Sequence, residues 1–258
     1  MTTADRGKIY LVPAPLDFGC DVLAPLQDVL PIATIRLVAR MPSWICENAK
    51  SARAYLKRVG EIEALAQPVQ LLQIQELPRE VHKKGDHHGN FDARPLLTAA
   101  IDGSPSKEVG LLSEAGMPAI ADPGSSVVRA AHELDIEVVP LAGPVSLMLA
   151  LAASGLNGQS FAFAGYLPQD AGERSRRIRE LESLALKTGQ TQIFIETPYR
   201  NVALLQALLQ TLQGNTRLAL SSGLSLPSGW SKSLRVSQWK KGKPTAFLGL
   251  PTVFCIGR

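Results

Sequence analysis

Short apolar runs that stop at proline or glycine alternate with stretches of helical spacing through the first half of the chain. That alternation predicts a parallel sheet with helices on both faces. Lys8 to Val12 is an apolar run halted by Pro13 and Pro15, the pattern of a buried strand delivering its end to a loop. Val22 to Leu30 reads as a helix before Pro31, and Ile35 to Ala39 as a second strand. Ser43 to Val59 carries Ile45, Ala49, Ala52, Leu56 and Val59 at helical spacing, with Gly60 placed to end the helix. Gln70 to Ile74 and Val109 to Leu112 supply a third and a fourth strand. Asp122 and Pro123 read as N-cap and first position of a helix with Val127, Val128, Ala131 and Leu134 on one face. Glu137 to Val139 is the fifth strand, and strands joined this way need right-handed crossovers.

Gly143 and Pro144 open an apolar helix ending near Gly155, after which the pattern changes. Phe161 to Tyr166 and Gln192 to Glu196 are strand-like, separated by a charged helix with Ile178, Leu181 and Ala185 as its apolar stripe. A helix from Pro198 to Gln213 turns Val202, Leu205, Leu208, Leu209 and Leu212 inward, and Gly214 stops it. Arg217 to Ser221, Leu234 to Ser237 and Thr252 to Ile256 follow as strands with no helix predicted between them, so this sheet is expected to be mixed. The expected organisation is two α/β domains, 6–143 and 144–258, with the boundary falling between 120 and 143 and a ligand cleft between them.

Composition narrows the class. With 258 residues, 45% hydrophobic and 19% charged, the chain has the balance of a globular protein and the length for two modest domains. Three cysteines, Cys20, Cys46 and Cys255, show neither disulfide-framework nor zinc spacing, which points to a reducing, cytoplasmic setting with no metal. The run after Gly7 is broken by prolines and lacks the core of a signal peptide. Val138 to Ser154 is interrupted by Pro140, Gly143 and Pro144, a poor membrane span. A net charge of +4 permits an anionic partner such as RNA, and is equally met in ordinary surfaces.

In an open parallel sheet, ligands bind beyond the carboxyl ends of the strands. Three loops rich in Gly, Pro and Ser fall there: Pro13 to Pro15, Ser113 to Pro118, and Leu141 to Ser146. Taken singly, each is accounted for by turn chemistry. Three at corresponding positions point to a ligand approached closely by backbone groups, with helix N-termini favouring an anionic part of it. The chain carries neither a dinucleotide fingerprint nor a P-loop, and neither H-E-x-x-H nor a G-x-S-x-G elbow.

Four segments resemble a known family. Leu111 to Gly124 (LLSEAGMPAIADPG) is similar to the "VSDAGTPLISDPG" segment of the ribosomal small-subunit methyltransferase I group within the tetrapyrrole methylases. Val139 to Ser146 (VPLAGPVS) resembles its "PLPGPSA", Phe163 to Pro168 (FAGYLP) its "FEGFLP", and Phe194 to Arg200 (FIETPYR) its "YESPHR", in matching order and spacing from Lys8 to Gln213. The resemblance implies a two-domain α/β homodimer of the cytoplasm that binds S-adenosylmethionine largely through backbone groups. Carried over, donor contacts fall on Pro13, on Ser113, Glu114, Ala115, Gly116 and Met117, and on Gly143, Pro144, Val145 and Ser146, with Glu196 and Pro251 from the second domain. The chain departs from the pattern where "PTPIGNL" becomes Pro13 to Phe18 and "EDTR" becomes Glu47 to Arg53, and its tail lacks "ARELTKxHEE". In these respects it is similar to a shorter paralogous branch with Glu47-Asn48 and a tryptophan before the last strand.

Methyl transfer from a sulfonium needs alignment, exclusion of water and, for a hydroxyl acceptor, a base. Glu47, Glu114 and His82 are candidate bases, against solvated or backbone-only roles for the two glutamates and an exposed loop for His82 with His87 and His88. Arg174 to Arg179 and Lys240 to Lys243 are candidate phosphate contacts, and Trp44, Trp230 and Trp239 candidate stacking or core residues. The resemblance favours RNA or a ribosomal subunit as substrate, with the ribose 2′-hydroxyl as acceptor. A tetrapyrrole or other small molecule, and a donor-binding module without catalysis, are the alternatives.

Overall fold

The computed structural model describes residues 6–84, 86, 91–103, 107–242 and 249–258, the side chains of 82–84 excepted. Two compact units are present: one extends through Val145, and the other begins at Ser146 and includes Cys20–Val22.

The first unit runs β1 (Lys8–Val12), α1 (Leu26–Val29), α2 (Ile32–Arg40), β2 (Ser43–Cys46), α3 (Ala49–Gly60), β3 (Gln73–Glu76), α4 (Arg79–Lys84), α5 (Thr98–Asp102), β4 (Glu108–Leu112), α6 (Ser125–Glu133) and β5 (Glu137–Pro140). Its strands form the predicted five-stranded parallel sheet, in the order β3-β2-β4-β1-β5. Both faces are buried, as a parallel sheet requires. Tyr10, Val12, Trp44 and Cys46 pack with Ile35 and Val38 of α2 and Leu56 and Val59 of α3. Ile9, Ile45, Val109 and Leu111 pack with Val127 and Ala131 of α6 on the other face.

The second strand is not where the pattern placed it. Ile35 to Ala39 lies in α2, and Ser43 to Cys46, read as the first turn of a helix, is β2, buried at all four positions. Two local causes decide this. Asn48 starts α3 only after the strand, its side chain accepting from the amides of Lys50 and Ser51. Trp44 lies against Gly110 of β4, where an added Cβ would come within 2.4 Å of the indole, and its Nε1 donates to the Met41 carbonyl. Gly110→Ala is therefore expected to overpack this contact and cost roughly 1–3 kcal/mol, read as a lowered urea midpoint.

The second unit runs α7 (Ser146–Ser154), β6 (Phe161–Tyr166), α8 (Ala171–Thr188), β7 (Thr191–Glu196), α9 (Asn201–Thr211), β8 (Arg217–Ser222), β9 (Trp230–Arg235), α10 (Val236–Trp239) and β10 (Thr252–Gly257). Its sheet, β6-β7-β10-β8-β9, is mixed: β6 and β7 are parallel and the remaining pairs antiparallel. Helices α8 and α9 cover one face over stacked Phe194 and Phe254, while α7 covers the other through Leu147, Ala150 and Leu151. The strand expected at Leu234 to Ser237 lies earlier, at Trp230–Arg235, and Val236 starts α10. Among the described residues no helix is long and apolar enough to cross a membrane.

Candidate functional site

The three loops singled out by composition meet at the carboxyl edge of the parallel sheet. Ala14, after β1, and Gly116, after β4, form an antiparallel bridge: the Ala14 amide donates to the Gly116 carbonyl at 2.8 Å and the Gly116 amide returns a bond at 3.1 Å. Gly116 adopts φ +70°, a conformation that favours glycine. The third loop closes on the first, since a Cβ on Gly143 would stand 2.2 Å from Cγ of Pro13. The Pro144 carbonyl lies 3.7 Å from the Cβ position of Gly116, so all three loops touch. Pro13, Ser113, Gly116 and Pro144 are buried, and Glu114, Ala115, Met117, Gly143 and Val145 are partly buried. Ser146 begins α7 in the second unit.

Loop 113–124 is held by acidic groups at several points. Glu47, just before α3, accepts from the Glu114 amide at 3.2 Å, and the Glu114 carboxylate accepts from the Ser51 hydroxyl at 3.1 Å. Ser113 donates to the Ala115 carbonyl. Ala119 (φ 65°) and Ala121 (φ 64°) are both left-handed without being glycine, a local cost of the kind often stored at functional sites. Asp122, between that strained segment and α6, is half-buried. Its burial, then the nearby carboxylates of Glu47 and Glu114, push its acid up to about 7 against a hydrogen bond with Ser113.

Asp122 is not the N-cap of the following helix. Gly124 takes that position with φ 135°, and the cap is supplied by Asp86, 38 residues upstream. Its carboxylate accepts from the amides of Gly124 and Ser126 and from the hydroxyls of Ser125 and Ser126. Burial alone would raise the Asp86 acid, but those bonds from Ser126, Ser125 and Gly124 together hold it below the usual carboxylate value. The helix after the second loop is thus fixed by a residue in the segment that carries His82, whose side chain, like His87 and His88, lies outside the described residues.

A cavity of about 400 Å³ opens beside these loops, lined by Ala14, Pro15, Ser113 and Glu114 on one side and Asn48, Ser51, Tyr55 and Arg58 of α3 and its cap on another. In the second unit, the Glu196 carboxylate accepts from the Thr197 amide at 2.7 Å and from Arg200, whose Nη2 stands 2.8 Å away. The exposed Pro251 offers its carbonyl to the Gly223 amide. Trp44 and Trp239 are core residues at 1% and 3% exposure, so neither is available to stack a base. On α8, Arg176 and Arg177 pair with Glu173 and Glu180, which reduces the charge offered to phosphate. Lys243 lies outside the described residues.

Asp17, Ser51, Tyr55, Arg58 and Asp86 were not singled out from sequence, and Asn48 was singled out only as a mark of the shorter branch. Only Asn48 had a local signal, an Asx residue directly before an amphipathic stretch. Each of the others makes at least one bond across 38 or more residues of chain, as Asp86 does with Gly124 and Ser51 with Glu114.

An open parallel sheet with three touching small-residue loops at its strand ends is an α/β unit, and the carboxyl ends of such strands are where these folds bind ligands. The family model described as Tetrapyrrole (Corrin/Porphyrin) Methylases matches residues 42–228, and the chain belongs to that family. A ribosomal RNA small subunit methyltransferase I from Mesorhizobium japonicum is 33% identical over 217 residues, 84% of this chain and 63% of the relative. One from Vibrio cholerae is 29% identical over 217 residues, covering 84% and 65%. The chain thus spans less than two thirds of the length of these relatives. Among solved structures, a uroporphyrin-III-C-methyltransferase from Thermus thermophilus superposes with TM-score 0.53 at 20% identity, covering 98% of this chain and 94% of that one. The methyltransferase CobJ gives 0.52 at 15% over the same shares. These two likenesses are of fold.

Proposed function

We propose that this protein is an S-adenosylmethionine-dependent methyltransferase that acts on ribosomal RNA at a ribose 2′-hydroxyl, as a cytoplasmic homodimer. The observation that carries the donor assignment is the contact of three loops at the sheet's carboxyl edge, through the Ala14–Gly116 bridge and the Gly143–Pro13 approach. In this reading Pro13, Ser113 to Met117 and Gly143 to Ser146 hold the donor, and Glu196 and Pro251 contribute from the second unit.

The residues present fit a cationic donor. S-adenosylmethionine supplies a methyl group activated on a positively charged sulfur. Burial first, and then the negative charges of Glu47 and Glu114, hold back the ionisation of Asp122 at this edge. A cation relieves that repulsion, whereas a phosphate would add to it. The cavity volume also lies within the usual range for small-molecule sites. Glu114 lines the cavity and Glu47 does not, which favours Glu114 as the base, its carboxylate held there by the Ser51 hydroxyl. The names of the relatives support an RNA acceptor.

Nucleoside mass spectrometry of small-subunit rRNA from cells with and without the gene tests the substrate. Loss of one 2′-O-methyl nucleoside is the expected result. An unchanged nucleoside profile contradicts the RNA assignment. Binding to the subunit or its rRNA is also expected to weaken by an order of magnitude or more between about 50 and 200 mM salt, as phosphate contacts release counterions.

A further inference from the structure

Ser51, Tyr55 and Arg58 stand at i, i+4 and i+7 on α3, the spacing that puts three side chains on one helix face. Each ends on a different point of the loops after β1 and β4. The Ser51 hydroxyl donates to the Glu114 carboxylate at 3.1 Å, and the buried Tyr55 hydroxyl donates to the Pro13 carbonyl at 3.4 Å. Arg58 donates from Nη1 and Nη2 to the two oxygens of Asp17, at 3.3 and 3.0 Å, and from Nη2 to the Ala24 carbonyl. Asp17 in turn accepts from the Ala24 amide, so one ion pair fixes both backbone groups of residue 24 and the course of the chain from 17.

Stability alone is a weak reason for this arrangement. The side chains of Arg58 and Asp17 are 21% and 6% exposed, and apolar residues of similar volume commonly replace such a pair without loss. What the three side chains share is the destination of their bonds. Between them they tie two loops to one rigid helix, while those loops are joined directly at the Ala14–Gly116 bridge. Glu47, at the entry to the same helix, adds a second grip on Glu114 through its amide. A helix with its N-terminus capped by Asn48 moves as a unit, so the separation of the loops is set by the spacing of its side chains.

We propose that α3 is a brace in which Ser51, Tyr55 and Arg58 act as positioning residues, holding the loops after β1 and β4 at the separation that donor binding requires. The proposal rests on the donor reading above. It goes further by giving these side chains, which line the same cavity, a control of donor affinity exerted through the loops they hold.

The test uses Ser51→Ala, Ser51→Thr and Tyr55→Phe in the full chain. S-adenosylmethionine affinity is measured by calorimetry, amide exchange at Ala14 and Gly116 is measured without donor, and melting temperature is recorded for each variant. Ser51→Ala and Tyr55→Phe are each expected to weaken binding about three- to tenfold and to speed exchange at both amides by a similar factor. Their melting temperatures are expected to stay within about 2 °C of wild type, and Ser51→Thr, which keeps the hydroxyl, to restore affinity and exchange. Wild-type affinity and exchange in both Ser51→Ala and Tyr55→Phe would overturn the brace. So would a loss of affinity that tracks melting temperature and is not restored by threonine. Should the wild-type chain bind no donor, that result counts against the donor reading, and the exchange rates alone decide the brace.

Discussion

Gly143→Val is expected to weaken S-adenosylmethionine binding tenfold or more, a cost of about 1.4 kcal/mol. Its Cβ would sit 2.2 and 2.4 Å from two ring carbons of Pro13 and 3.2 Å from Leu30. A proline ring has no rotamer by which to escape, so the backbone at Pro13 must shift. That backbone leads into Ala14, whose bridge to Gly116 then moves with it. Gly116→Val is expected to reach the same loss by another route, since φ +70° penalises a branched side chain while the nearest atom, on Leu16 at 3.3 Å, can yield. Gly189→Ala serves as the control. This glycine closes α8 with φ +73° and nothing within 4 Å of its Cβ position, so the substitution costs about 1 kcal/mol of stability and leaves donor affinity unchanged. Calorimetry with a melting curve for each variant separates the effects. If both valine variants fold and bind like wild type, the loops do not line the site.

Asp122→Asn is expected to remove a pH dependence from both stability and binding. The folded protein holds the Asp122 acid at about 7, above its ordinary value of 3.8, so folding favours the protonated form. That contribution is complete below about pH 4 and is lost as pH rises through about 7. Wild type should therefore melt lower at pH 8 than at pH 5 by several degrees relative to Asp122→Asn, which carries no ionisable group there. Binding should show the opposite trend. A cationic donor prefers the ionised carboxylate, so wild-type affinity should rise several-fold between about pH 6 and pH 8, and Asp122→Asn should flatten the rise. Parallel pH profiles for wild type and variant, in both melting and affinity, would show that Asp122 does not feel the site.

Sequence periodicity was informative where an element's fate is decided locally. β1, β4 and β5 are apolar runs cut off by proline, glycine or serine, and their ends gave the positions of all three loops. It misled where two periods overlap. Ile45 belongs to β2, yet it sits in helical register with Ala49, Ala52, Leu56 and Val59, so strand and helix merged into one predicted element. The Asn48 cap was the local signal that divides them. The Asp122–Pro123 pair carried a false cap signal, because the true cap, Asp86, comes from a segment distant in sequence. Bonds such as Arg58 to Asp17 join residues 41 apart and have no periodicity to betray them. The three loops of the candidate site were therefore legible as composition, while the side chains that hold them together became visible only in three dimensions.

Calorimetric titration of the purified chain with S-adenosylmethionine tests the donor assignment most directly. Saturable binding of one donor per chain, with a dissociation constant between about 1 μM and 1 mM, is the predicted result. Absence of heat and of any thermal shift, with the donor and with its demethylated product alike, would contradict it.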